Sequence, residues 1–146
     1  LMTEEILICN GRVIAETHYL PKGYVFIKNG KIASIGEDWS EIFAEEVIDV
    51  QGLIISPGFI DIHTHGIKDV DFMESDPENI ARGLSEYAHF GVTRVVGSTL
   101  SNPFEQIISQ AKRIRAAREN RDYGDVLLGV HIEGPWLTPS QRGGHA

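Results

Sequence analysis

The chain has 146 residues and only one cysteine, Cys9. A lone cysteine excludes an internal disulfide framework and fits a reducing compartment. Cys9 lies in the apolar run Ile6-Leu7-Ile8-Cys9, where it reads as a small buried hydrophobe rather than a reactive thiol. No apolar stretch approaches the length that spans a bilayer. Basic residues are also scarce: 13 Lys and Arg stand against 21 Asp and Glu, a net charge of −8. That balance argues against nucleic acid and anionic membrane as partners, though it leaves room for a local basic pocket. The first residues, Leu1-Met2-Thr3-Glu4-Glu5, are acidic and do not read as a secretory signal. A cytoplasmic protein is expected. What is present is ordinary globular material, 42% hydrophobic and 23% charged, too apolar for a disordered segment.

Two compositional zones follow each other. Residues 1–56 hold short strand-like runs separated by turns. Ile6-Leu7-Ile8-Cys9 precedes Asn10-Gly11, then Arg12-Val13-Ile14; Val25-Phe26-Ile27-Lys28 precedes Asn29-Gly30, then Lys31-Ile32-Ala33-Ser34-Ile35. Asn and Gly accept the positive φ of a two-residue hairpin, so a hairpin turn is predicted at each pair. Val47-Ile48-Asp49-Val50 adds another strand. A small β-subdomain is expected. The acids around Glu41 and Glu46 read as a solvated turn.

Residues 57–146 alternate strands and helices. A buried strand is predicted from Phe59 to Ile62. Asp76-Pro77 is an N-cap with a first-turn proline, opening a helix with Ile80, Leu84, Tyr87 and Ala88 at helical spacing and Gly91 as its C-terminal cap. Val92-Thr93-Arg94-Val95-Val96 is a second buried strand. Asn102-Pro103 opens a second helix with Ile107, Ile108, Ala111 and Ile114 on one face, and Val126-Leu127-Leu128-Gly129-Val130 is a third strand. Order β-α-β-α-β with crossovers of this length implies an α/β fold with parallel strands. A barrel and a doubly wound sheet both fit. A complete barrel needs roughly 250 residues, so only about three βα units would be here.

The chemistry-bearing residues sit at predicted strand ends. Asp61, His63 and His65 alternate, and side chains at i, i+2 and i+4 share one side of a strand. Two imidazoles so placed are a metal pair suited to Zn, Fe, Co or Ni, with Asp61 as a ligand or as the group that orients one. A merely hydrogen-bonded polar strand end has the same pattern. Its placement at the carboxyl edge of a parallel sheet favours a metal. Gly66 allows a sharp exit. His131 and Glu133 repeat the pattern two strands on, before Gly134-Pro135; Glu133 could bind metal, cap an amide or pair with an arginine such as Arg142. Gln141-Arg142-Gly143-Gly144-His145 offers backbone N–H groups and cations to an anion or sugar, but by itself reads as a surface loop. Gly97-Ser98-Thr99, at the same edge, could line a pocket or cap the next helix but reads as structural. Trp136 could shape a pocket but reads as a packed aromatic; His18 and His89 read as ordinary histidines.

Pro57-Gly58-Phe59-Ile60-Asp61-Ile62-His63-Thr64-His65-Gly66 resembles the first-strand signature of the amidohydrolase superfamily. His131-Ile132-Glu133-Gly134-Pro135-Trp136 with Arg142-Gly143-Gly144-His145 resembles the N-acetylglucosamine-6-phosphate deacetylase family within it. The resemblance implies a partial (β/α)8 TIM barrel, residues 57–146, preceded by part of a small β-sandwich subdomain, residues 1–56. It implies Glu133 as principal metal ligand, His63 and His65 as a second metal position, and Gly144 and His145 as substrate contacts; Asp61 and His131, from their placement beside these, are expected as orienting neighbours. One or two divalent ions per site, an amino-sugar phosphate substrate and a homodimer are what it implies of cofactor and partners. The family's acid/base aspartate and further metal-binding histidines come later in its sequences than this chain extends. No catalytic residue is therefore expected within residues 1–146, and the chain is expected to be inactive alone. Alternatives are an amidohydrolase acting on another amide or cyclic amide, and a non-catalytic amidohydrolase-like scaffold.

Overall fold

The computed structural model describes residues 4–141, 143 and 144; the predicted contacts Arg142 and His145 lie outside these. Contacts divide the chain into two units, residues 1–57 and 58–146.

The first unit holds five strands: β1 (Glu5–Ile14), β2 (Tyr19–Lys28), β3 (Lys31–Gly36), β4 (Glu46–Asp49) and β5 (Ile54–Ile55). They form one mixed sheet in the order β3-β2-β1-β4, with β5 also on β1. β1 pairs antiparallel with β2 and parallel with β4 and β5. The second predicted hairpin is present: Asn29 and Gly30 take φ 53° and 71° between β2 and β3. The first is not. Asn10 takes φ 58°, yet β1 continues through it, and the register against β2 shifts on both sides of Gly11. The positive φ that reads as a turn is used for a bulge, which kinks a strand without reversing it. A Cβ on Gly11 would lie 2.6 Å from the side chains of Ile55 and Val50, so only glycine lets β5 approach there. Leu7, Cys9 and Tyr24 are buried together, with Trp39 and Ile42 against them. Burial raises the Cys9 thiol above its ordinary pKa, and the Asp49 charge adds to this.

The second unit is built on β6 (Phe59–Thr64), β9 (Val92–Ser98) and β10 (Leu127–His131), in the order β10-β9-β6. All are parallel. Between β6 and β9 come a short hairpin, β7 (Gly66–Ile67) and β8 (Val70–Asp71), then α1 (Pro77–Leu84), which tightens into a 3-10 turn, Ser85–Phe90. Asp76 caps α1 by accepting from the Asn79 N–H, and Gly91 ends the turn at φ 74°. α2 (Phe104–Ala117) and a short 3-10 turn (Gly124–Val126) link β9 to β10. No helix among the described residues is long and apolar enough to cross a membrane.

The core of this unit joins Phe72, Ile80, Leu84, Val95, Ile114 and Leu127, all at most 1% exposed. Side chains on α1 and α2 reach it at helical spacing. The predicted face of α2 is partly corrected: Ile107 and Ile114 are buried, but Ile108 is 39% exposed. β6, predicted as buried, lies at the edge of the three strands described, and within these residues Ile60 is 58% and Ile62 72% exposed; its apolar run is that of a strand covered on both faces.

Candidate metal centre

Parallel pairing puts three strand ends on one edge. Thr64 lies opposite Gly97, and Ser98 lies opposite His131. Residues just past these positions therefore meet at the carboxyl edge of the sheet, where ligands of parallel α/β folds bind. Gly97 has to be glycine for the layers to close: a Cβ there would lie 2.9 Å from Ile114 Cγ2 and 3.2 Å from the Phe72 ring.

At that edge His63, His65 and Glu133 converge. His63 Nε2 is 3.2 Å from His65 Nε2 and 2.9 Å from Glu133 Oε2, and His65 Nε2 is 3.1 Å from the same oxygen. Ligands around one ion held at roughly 2.0–2.2 Å sit about 3 Å from each other. The triangle thus fits a single divalent ion. Two imidazoles and a carboxylate suit Zn, Fe, Co or Ni. The three groups are part-exposed, at 44%, 36% and 27% for the side chains, so the position is open to solvent.

The backbone around the histidines is tied down. The His65 carbonyl accepts from the N–H of the buried Phe72 at 2.8 Å. Gly66 turns the chain at φ 149°, where a Cβ would lie 2.0 Å from the Val70 carbonyl oxygen. Thr64 points away from the triangle, and its hydroxyl meets the Tyr87 hydroxyl at 2.7 Å. Burial raises the Tyr87 pKa, opposed by the Thr64 hydrogen bond and helped by the Asp61 charge.

The remaining sequence candidates distribute as follows. Asp61 lies outside the triangle; its carboxylate accepts from the His63 N–H at 3.0 Å. The His131 ring stands edge-on to His63, with centroids 5.0 Å apart. Gly144 borders a cavity that His65, Glu133, Leu100 and Leu137 also line. Trp136, predicted as packed, is 80% exposed; its loop position outweighs its aromatic character. Ser98, read from its place at the strand end as structural, lies against His65 and His131. Tyr87 does not read as part of the site, because its helical spacing marks it only as core.

No family model matches the chain. It is 30% identical across 146 residues to the N-acetylglucosamine-6-phosphate deacetylase of Bacillus subtilis, over 97% of this chain and 37% of that protein. It is 29% identical to the N-acetylgalactosamine-6-phosphate deacetylase of Escherichia coli O157:H7, over 92% of this chain and 34% of that protein. The crystal structure of the Pasteurella multocida N-acetylglucosamine-6-phosphate deacetylase superposes with a TM-score of 0.84 at 22% identity, over 97% of this chain and 37% of that one, a likeness of fold. This chain is a relative of the N-acetylglucosamine-6-phosphate deacetylases, matching nearly all of its own length to about a third of theirs.

Proposed function

We propose that the protein of which these residues form part hydrolyses the acetamide of N-acetylglucosamine 6-phosphate, giving glucosamine 6-phosphate and acetate, with a divalent metal. The observation that carries this is the convergence of His63, His65 and Glu133 donor atoms to about 3 Å of each other at the carboxyl edge of a parallel sheet. Residues 57–146 are read as the first units of a (β/α)8 barrel, and residues 1–56 as part of a small β-sandwich. The parallel order β10-β9-β6 with helices between the strands supports the first reading, and the separate mixed sheet of β1–β5 supports the second.

Within this reading Glu133, His63 and His65 hold metal, one ion or two. A bound divalent ion acts as a Lewis acid on an acyl carbonyl and makes water more acidic. Glu133 supplies the anionic donor, and His63 and His65 supply neutral ones. Gly144 and His145 contact the sugar phosphate, and the cavity joining Gly144 to His65 and Glu133 supports the first of these. Asp61 holds the His63 backbone. The general acid/base that carries a proton to the leaving amine is not assigned to these residues, so the 146-residue chain alone is inactive. A cytoplasmic homodimer is the expected setting.

The test is an acetate-release assay of the full-length protein with N-acetylglucosamine 6-phosphate and its galactosamine epimer, beside metal analysis. The Escherichia coli relative makes the epimer the necessary comparison. Turnover that a chelator abolishes and metal restores is the expected result; neither metal nor turnover would defeat the reading.

A further inference from the structure

Ser98 touches two histidines at this edge. Its carbonyl oxygen lies 3.2 Å from His65 Nδ1, and its hydroxyl lies 3.2 Å from His131 Nδ1. His131 in turn stands edge-on to His63 at 5.0 Å. One residue on the central strand thus faces both imidazoles of the metal triangle, one directly and one through a third ring.

A carbonyl oxygen can only accept, so the contact to His65 requires the proton on Nδ1. That leaves Nε2 with its lone pair, and Nε2 is the atom aimed at Glu133 and His63. The hydroxyl contact limits rotation of His131, which forms one wall of the space holding His63. Ser98 itself has little freedom. It is fully buried, it pairs with His131 in the ladder, and the next residue, Thr99, donates its N–H to the His131 carbonyl at 2.9 Å. A group fixed this way imposes its geometry on its neighbours, as outer hydrogen-bond partners do for metal-binding histidines.

We propose that Ser98 is a positioning residue for the metal triangle: its carbonyl sets the tautomer of His65, and its hydroxyl holds His131 against His63. This rests on the metal reading above.

The experiment uses the full-length protein with cobalt(II) as the probe. Ser98→Ala keeps the carbonyl contact to His65 and removes only the hydroxyl contact to His131. It is therefore expected to weaken cobalt binding by about tenfold, the lower end of the range for outer partners of metal ligands, and to change the visible cobalt absorption. Added to His131→Ala, it should weaken binding no further. Ser98→Ala with wild-type affinity and spectrum overturns the proposal, as does a full further loss in the His131→Ala background. Imidazole nitrogen NMR of the metal-free wild type needs no variant. His65 protonated at Nδ1 supports the proposal, and His65 protonated at Nε2 alone overturns it. Wild-type protein that binds no cobalt would sink the metal reading itself, an outcome separate from an indifferent Ser98→Ala.

Discussion

The hydroxyls of Tyr87 and Thr64 lie 2.7 Å apart, and both reach the Gly66 carbonyl, at 3.0 and 3.1 Å. Thr64 sits between the two histidines of the triangle, so a side chain from the turn after α1 secures the strand end that carries them. Tyr87→Phe keeps the ring and removes this link. We expect a loss of about 1–2 kcal/mol, the usual cost of a deleted buried hydrogen bond, read by chemical denaturation.

The same tyrosine predicts an alkaline effect. Its pKa is raised, mainly by burial. In the unfolded chain it ionises near the ordinary value of about 10; in the folded chain it resists. Stability therefore falls as pH rises from about 10 toward the raised folded value. Denaturation of wild type and Tyr87→Phe across this range should show the wild type with the steeper decline. Parallel curves would contradict the burial argument.

Metal should stabilise the protein if the triangle holds one. A ligand at a hundred times its Kd contributes about 2.7 kcal/mol to the native state. Zinc is expected to raise the Tm of wild type and a chelator to reverse it. Glu133→Gln removes the charge at nearly constant shape, and His65→Asn removes a donor. Each should lose most of the zinc-dependent rise while keeping the Tm of the metal-free protein.

Gly97→Ala tests the packing behind the site. The added methyl would meet Ile114 Cγ2 at 2.9 Å and the Phe72 ring at 3.2 Å, and both residues are fully buried. Overpacking of this kind costs about 1–3 kcal/mol. A thermal melt at wild-type Tm would show that the layer between α2 and β9 is looser than described.

Asp76→Ala should cost about 1 kcal/mol, because the carboxylate accepts from the Asn79 N–H at 2.8 Å and so caps the first turn of α1. Asp76→Ser should recover most of it, as measured by urea denaturation.

Local chemistry explains which of these features could be read from the chain. Asp76-Pro77, Asn29-Gly30 and Gly91 act through their own φ preferences and their own side chains, so the helix start, one hairpin and one cap were legible. The same reasoning failed at Asn10-Gly11. A positive φ serves a turn or a bulge equally, and the choice was made by β4 and β5 packing along β1. Apolar runs identified β6 as a strand but not as an edge, because exposure depends on neighbours that the run does not specify.

The site divides in the same way. By itself, the sequence determined that His63 and His65 alternate along one strand, that Glu133 follows another, and that both precede glycine. Only the tertiary structure decided that the three donor atoms meet within 3.2 Å, because that requires the parallel register of β6, β9 and β10. It also decided the roles of Ser98 and Tyr87, whose contacts lie 21 to 33 positions away along the chain. Neither residue type favours such a contact on its own; strand pairing and the packing of the segment after α1 bring them into reach.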